Sequence, residues 1–142
     1  MKSYFFLVLS VITLLDIIKA IFKTTSFYES MNETMEKLGE IQNLMQRVGK
    51  EDQAWMGAFQ TFLKTTKKDG ALSSKMKEII GIAVSVKAQC ERCIPWHVKN
   101  ALDLGAKKEE IIEAAQVAVV LGGGPSLMYM KYVYDAIDAL TQ

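Results

Sequence analysis

The chain has 142 residues, half of them hydrophobic, and a formal net charge of +1 with no basic block. That is one domain's worth of sequence with ample material for a core. The charge balance gives nucleic-acid binding no electrostatic support, and no linker, repeat or low-complexity tract divides the chain.

The first thirty residues stand apart. Tyr4 to Leu15 is almost wholly apolar and Ile17 to Phe22 continues the run, interrupted by Asp16 and Lys19. Four readings are open: a signal peptide with a poor cleavage site, a single membrane anchor, an ordinary docked helix, or sequence upstream of the natural start. Met31 opens Met-Asn-Glu-Thr-Met-Glu, which reads as the start of a soluble domain. The expected division is therefore an apolar segment 1–30 and a helical domain 31–142. A membrane is a partner only if residues 1–30 are native.

From residue 31 onward the pattern is helical. Asn32 is the expected N-cap of a helix carrying Met35, Leu38, Ile41, Met45 and Val48, with Gly49 ending it. Trp55, Phe59, Phe62 and Leu63 form the apolar stripe of a second helix. A polar loop, Thr65 to Gly70, follows. Ser73 or Ser74 caps a third helix with Met76, Ile79, Ile80, Ile82, Ala83, Val84 and Val86. That helix is apolar nearly all round, which predicts a central, largely buried element.

A fourth helix begins near Cys90–Cys93 and ends at Gly105. A fifth opens at Glu109-Glu110 and runs to Leu121, apolar on every face, which points to subunit contacts. Gly122-Gly123-Gly124-Pro125 breaks the chain before a sixth, methionine-rich helix. The glycine run lacks the lysine and flanking strand of a phosphate loop and reads as a tight helix connection.

The chemistry is concentrated in Ala88-Gln89-Cys90-Glu91-Arg92-Cys93-Ile94-Pro95-Trp96-His97. Two cysteines this close, with no others, read as redox or metal chemistry, most often in a reducing cytoplasm. Cys90, Cys93 and His97, at i, i+3 and i+7, share one helix face. Pro95 is tolerated only in a first turn, so Cys93 lies near a helix N-terminus, where unpaired N–H groups favour thiolate. Arg92 adds positive charge.

His97, the one histidine in the chain, can accept the thiol proton and return it to a leaving group. Glu78 is the one carboxylate inside the apolar third helix and needs a partner if buried. The simplest is His97, directly or through a water. Zinc would find three Cys/His ligands and would need a fourth from Glu78 or another subunit, which leaves a zinc protein as a minor alternative; haem attachment would need histidine where Ile94 stands, so no metal or cofactor is expected.

Glu78, then Cys90-x-x-Cys93, then His97 resembles the signature of the AhpD-like alkylhydroperoxidases of the carboxymuconolactone decarboxylase family. Asn100-Ala101, Leu104-Gly105-Ala106, Glu109-Glu110-Ile111 and the Gly-Gly-Gly-Pro break agree with it. The resemblance covers roughly residues 50 to 140. It implies an all-α AhpD-like fold of about six helices in an oligomeric ring, a trimer or hexamer.

With the cysteine pair, it also points to an antioxidant, peroxiredoxin-type oxidoreductase, a thiol-dependent peroxidase or a general disulfide reductase. Cys93 would reduce a small hydroperoxide and pass through a sulfenic acid, Cys90 would resolve it to a disulfide, and Glu78 and His97 would relay protons. A thiol donor would restore the dithiol. One departure stands out. The best-studied branch has a second histidine before the second cysteine, and here that residue is Arg92, which cannot shuttle a proton. Peroxidase efficiency and the usual lipoyl-type donor are the properties that this departure touches. The competing readings are a non-catalytic oligomeric redox sensor or scaffold, and cofactor-free decarboxylase chemistry that would survive loss of both cysteines.

Overall fold

A computed structural model describes the backbone of residues 2–141 and the side chains of residues 16–141. Among the described residues there are five helices and no strand: α1 (Lys2–Glu51), α2 (Gln53–Lys67), α3 (Ser74–Lys87), α4 (Cys93–Asp103) and α5 (Lys108–Leu140). The expected count of six falls to five because the glycine run kinks a helix rather than ending it. Gly123 alone leaves the helical region, at φ 64° and ψ −151°. A side chain rarely adopts that conformation, and glycine does so freely. Pro125 falls just beyond the kink, where the first-turn amides of the restarted helix need no partner.

α1 also differs from expectation. It runs through Asn32 and Gly49 without a break and ends at Glu51. Fifty residues at 1.5 Å each make a rod of about 75 Å. Its later half docks on α5, α2 and α4, burying Thr34, Lys37 and Leu38. Ile17, Ile18, Ile21 and Phe22 stay exposed. The apolar run at 4–15 lies outside the residues whose side chains are described.

Asp52 separates the rod from α2 and caps it, its carboxylate accepting from the Trp55 N–H at 2.9 Å. The α2 stripe does not face the core as its spacing suggested: Trp55 and Phe62 are exposed, and Met56 is the buried residue.

Ser73 caps α3 as expected, its hydroxyl accepting from the Met76 N–H at 3.1 Å. α3 packs mainly on α5 and α4. Only one face is covered, however. Ile79, Ile82 and Val86 are buried, while Met76, Ile80 and Val84 are exposed. The core joins these α3 residues to Ile94, Val98 and Ala101 of α4 and to Ile111, Ala115, Ala118, Val133 and Ile137 of α5. α5 is long and apolar enough to cross a membrane by length and composition. Its buried apolar residues on both sides of Gly123 belong to this core.

Two of the connections use the same device. At the end of α4, the Gly105 and Ala106 N–H groups return to the carbonyls of Leu102 and Ala101, with Gly105 at φ 78°. At the end of α3, the Gln89 and Cys90 N–H groups return to Val86 and Ser85 in the same pattern, with Gln89 at φ 56°. Both are Schellman caps, and the second puts a glutamine where glycine is usual. That cap sets the path of the chain into Cys90.

Candidate functional site

Cys90 and Cys93 are joined by a disulfide, with their Cα atoms 5.2 Å apart. Three contacts hold the first cysteine: its N–H is fixed to the Ser85 carbonyl, its own carbonyl accepts from Ile94, and its sulfur accepts the Cys93 N–H at 3.2 Å. The first free amide of α4 therefore points at Cys90 Sγ. The sequence places Cys93 at the helix N-terminus, and the structure agrees, but the sulfur that receives this amide is that of Cys90. Pro95 sits in the first turn, fully buried beside Ile94.

His97 lies one turn beyond Cys93 on α4, and Glu78 lies in the first half of α3. The structure brings them into direct contact, with His97 Nδ1 2.7 Å from Glu78 Oε2. Glu78 does not face solvent: its side chain is 3% exposed. Its other oxygen, Oε1, lies 2.7 Å from the ammonium of Lys67, the last residue of α2. Three helices thus converge on one carboxylate. Burial pushes the Glu78 carboxyl up, but the hydrogen bonds from His97 and Lys67 outweigh it and hold the group below its ordinary value. An ionised Glu78 fixes the imidazole proton on Nδ1 and leaves Nε2 as the basic nitrogen.

The ring also needs room, and Gly81 provides it. A Cβ built at Gly81 would lie 2.6 Å from His97 Nδ1 and 2.8 Å from Cε1. The imidazole therefore rests on bare α3 backbone one turn beyond Glu78. A helix-interior glycine costs about 1 kcal/mol relative to alanine, and here the close approach of the ring accounts for it. The sequence signal existed, a lone glycine inside an apolar helix, but its reason lay in another helix. Lys67 carried no signal at all, being one of several lysines at the end of α2.

Both residues between the cysteines are tied down. Arg92 pairs with Glu40 of α1, an interaction that raises the guanidinium above its ordinary value. Its charge is directed at α1 rather than left free for the sulfurs, contrary to the simplest reading of the sequence. Glu91 approaches Lys37 of α1 at 3.9 Å and pairs with Tyr132 of α5. Burial together with the Glu91 carboxylate pushes the Tyr132 phenol up to about 12. The Lys37 ammonium stands 4.7 Å from the Tyr132 ring centroid.

An open groove of about 430 Å³ runs past His97 and Glu78 between Leu72, Ile80 and Lys77. Neither cysteine lines it, and both are half-buried. Among the described residues no cluster of three or more His, Cys, Asp or Glu side chains is arranged to hold a metal ion.

The chain is similar to known proteins in both sequence and fold. The sequence profile of the Carboxymuconolactone decarboxylase family matches residues 53–134. An uncharacterised protein of Cupriavidus necator is 34% identical over 104 residues, covering 73% of this chain and 92% of its own length. An uncharacterised protein of the cox locus of Paracoccus denitrificans is 35% identical over 83 residues, covering 58% of this chain and 75% of its own.

Among solved structures, an apo carboxymuconolactone decarboxylase family protein of Legionella pneumophila superposes with a TM-score of 0.69 at 34% identity. The match covers 78% of this chain and 96% of that one. A family member of Thermotoga maritima, for which a part in the antioxidative response has been suggested, gives 0.65 at 25% identity. It covers 74% of this chain and 90% of that one.

Proposed function

Since this chain belongs to the carboxymuconolactone decarboxylase family, we propose that it is a thiol-dependent oxidoreductase. It reduces hydroperoxides or disulfides through a Cys90–Cys93 dithiol–disulfide cycle served by Glu78 and His97. The observation that carries this reading is the pairing of two elements on one helix. A disulfide-forming Cys-x-x-Cys stands at the start of α4, and a histidine held by a buried carboxylate follows one turn later.

In the cycle, His97 Nε2 takes the Cys93 thiol proton. The Cys93 thiolate attacks the distal oxygen of the peroxide, the O–O bond breaks, and Cys93 becomes a sulfenic acid. The alkoxide leaves as alcohol with the proton from His97. His97 next takes the Cys90 thiol proton, the Cys90 thiolate attacks the Cys93 sulfur to form the disulfide, and the hydroxide that leaves takes that proton and departs as water. A small dithiol donor restores both thiols and is itself oxidised to a disulfide. If the donor attacks Cys93, Cys90 is the leaving thiolate, and the Cys93 amide at 3.2 Å stabilises it.

The exposed apolar faces of α3 (Ile80, Val84) and α5 (Val117, Val120, Leu121) favour a homo-oligomer, and the family resemblance implies a trimer or hexamer. The test combines both claims. Purified protein, supplied with cumene hydroperoxide and dithiothreitol, is expected to turn over and to scatter light as an oligomer. Cys93→Ser is expected to abolish turnover, and Cys90→Ser to accumulate the Cys93 sulfenic acid by mass spectrometry. Unchanged turnover in Cys93→Ser overturns the assignment.

The Arg92–Glu40 pair favours a second reading, because it stands where the peroxidase branch keeps a second proton carrier. In that reading the chain is a redox sensor, and Cys90–Cys93 oxidises reversibly without turnover.

A further inference from the structure

The chemistry proposed for Glu78 and His97 leaves one charged neighbour unexplained. Lys67 reaches the carboxylate from a different helix, and the structure builds its position in three ways. First, its ammonium lies 2.7 Å from Glu78 Oε1 while His97 holds Oε2, so each oxygen of a nearly inaccessible carboxylate has its own partner. Second, the residue before Glu78 anchors the segment that carries Lys67. Lys77 Nζ donates to the Thr66 and Lys68 carbonyls at 2.8 and 2.7 Å, on either side of Lys67. Third, the following connector is closed by Asp69, whose carboxylate accepts from the Ser74 N–H at 2.6 Å and from its hydroxyl at 2.8 Å. Two consecutive residues of α3 therefore dock the end of α2: Lys77 donates to the carbonyls of Thr66 and Lys68, and the Glu78 carboxylate receives the Lys67 ammonium.

We propose that Lys67 is a positioning residue for His97, acting through Glu78. It holds the carboxylate in the orientation that presents Oε2 to Nδ1, and its charge opposes that of the carboxylate on the far oxygen. The catalytic meaning of this role rests on the redox reading above, but the electrostatic claim does not. A lone buried carboxylate beside an imidazole would favour the imidazolium. A cation on the far oxygen opposes that preference.

Of the other charged groups around the site, Lys77 and Asp103 have partners of their own. From α3, Lys77 is bound to the two carbonyls. From α4, Asp103 pairs with Lys99 at 2.6 Å. Lys64 of α2 and Lys68 of the connector line the neighbouring groove with Lys67, while the Glu78 ion pair is made by Lys67. The Lys67 ammonium also stands 5.9 Å from the ring centroid of Trp96, the residue beside His97, which places it against α4 as well as α3.

His97 is the one histidine in the chain, so its titration gives a single set of imidazole signals in the full-length protein. The experiment follows those signals by NMR across pH 4.5 to 9 in the disulfide form, whose cysteines do not titrate, of the parent and of the K67M, K67R and E78Q variants. K67M is expected to raise the His97 midpoint by about one pH unit, because a neighbouring cation is gone. K67R is expected to restore it to within a few tenths. E78Q is expected to lower it.

A K67M midpoint equal to that of the parent, with E78Q shifted, overturns the proposal and leaves Lys67 a merely structural contact. If K67M fails to fold, K67Q gives the same reading with a polar side chain of similar length. These outcomes do not depend on turnover. A chain that shows the shift but reduces neither peroxide nor disulfide refutes the catalytic reading and leaves the role of Lys67 standing.

Discussion

Replacing Gly81 with alanine tests the arrangement of the site more sharply than replacing any of its polar residues. The added methyl would lie 2.6 Å from His97 Nδ1, 2.8 Å from Cε1 and 2.9 Å from Cγ. These are ring atoms, and α4 fixes the ring's own backbone through buried Ile94, Val98 and Ala101. The imidazole must therefore swing away from α3 and give up its 2.7 Å contact with Glu78 Oε2.

On propensity alone the substitution stabilises a helix interior by about 1 kcal/mol. Losing a hydrogen bond to a charged group costs about 1.5–3 kcal/mol, and a buried acceptor left with one partner adds to that. The second effect is the larger, so a net loss of roughly 1–3 kcal/mol is expected. For a chain of this size that corresponds to a drop in Tm of roughly 3 to 12 °C. Peroxide turnover is expected to fall at least tenfold, since the base is no longer oriented. The assays are a thermal melt followed by circular dichroism and the hydroperoxide assay at fixed dithiol. A variant that melts about 3 °C or more above the parent and keeps full turnover would refute the close packing of His97 on α3.

Two further outcomes follow from the same geometry. The Glu78 carboxyl is held below its ordinary value in the folded chain, so its contribution to stability is fully present above the unfolded carboxylate range near pH 4.5. That contribution is lost as pH falls through the lowered folded value. Acid titration of stability in E78Q is therefore expected to be flatter below about pH 4.5 than in the parent. Gln89→Gly is expected to raise stability by up to about 1 kcal/mol, because the Schellman position after α3 holds a side chain at φ 56°. A loss of stability in urea unfolding would show that the Gln89 side chain makes a compensating contact.

Much of this protein was legible in one dimension. The Ser73 cap, the Pro95 first turn and the Gly105 stop are local signals, and each marks the helix boundary it implies. The spacing of Cys90, Cys93 and His97 needed only helix geometry to share a face. The helix boundaries of α1 failed for an equally physical reason. Asn32 can cap a helix, and Gly49 can end one, but neither is obliged to. Contacts with α5, α2 and α4 keep the backbone helical through both. The glycine run had the opposite ambiguity, since one residue with φ 64° bends a helix without forcing a loop.

The sequence by itself determined an all-helical chain with a redox-type cysteine pair, because capping, periodicity and the reach of i, i+3 side chains are properties of short segments. Only the tertiary structure decided that Glu78 meets His97, that Lys67 arrives from α2 to hold the second oxygen, and that Gly81 is small for the sake of a ring on another helix. Those contacts join residues 11 to 19 positions apart on separate helices. Their geometry depends on how α2, α3 and α4 pack, and no local pattern encodes a crossing angle between helices.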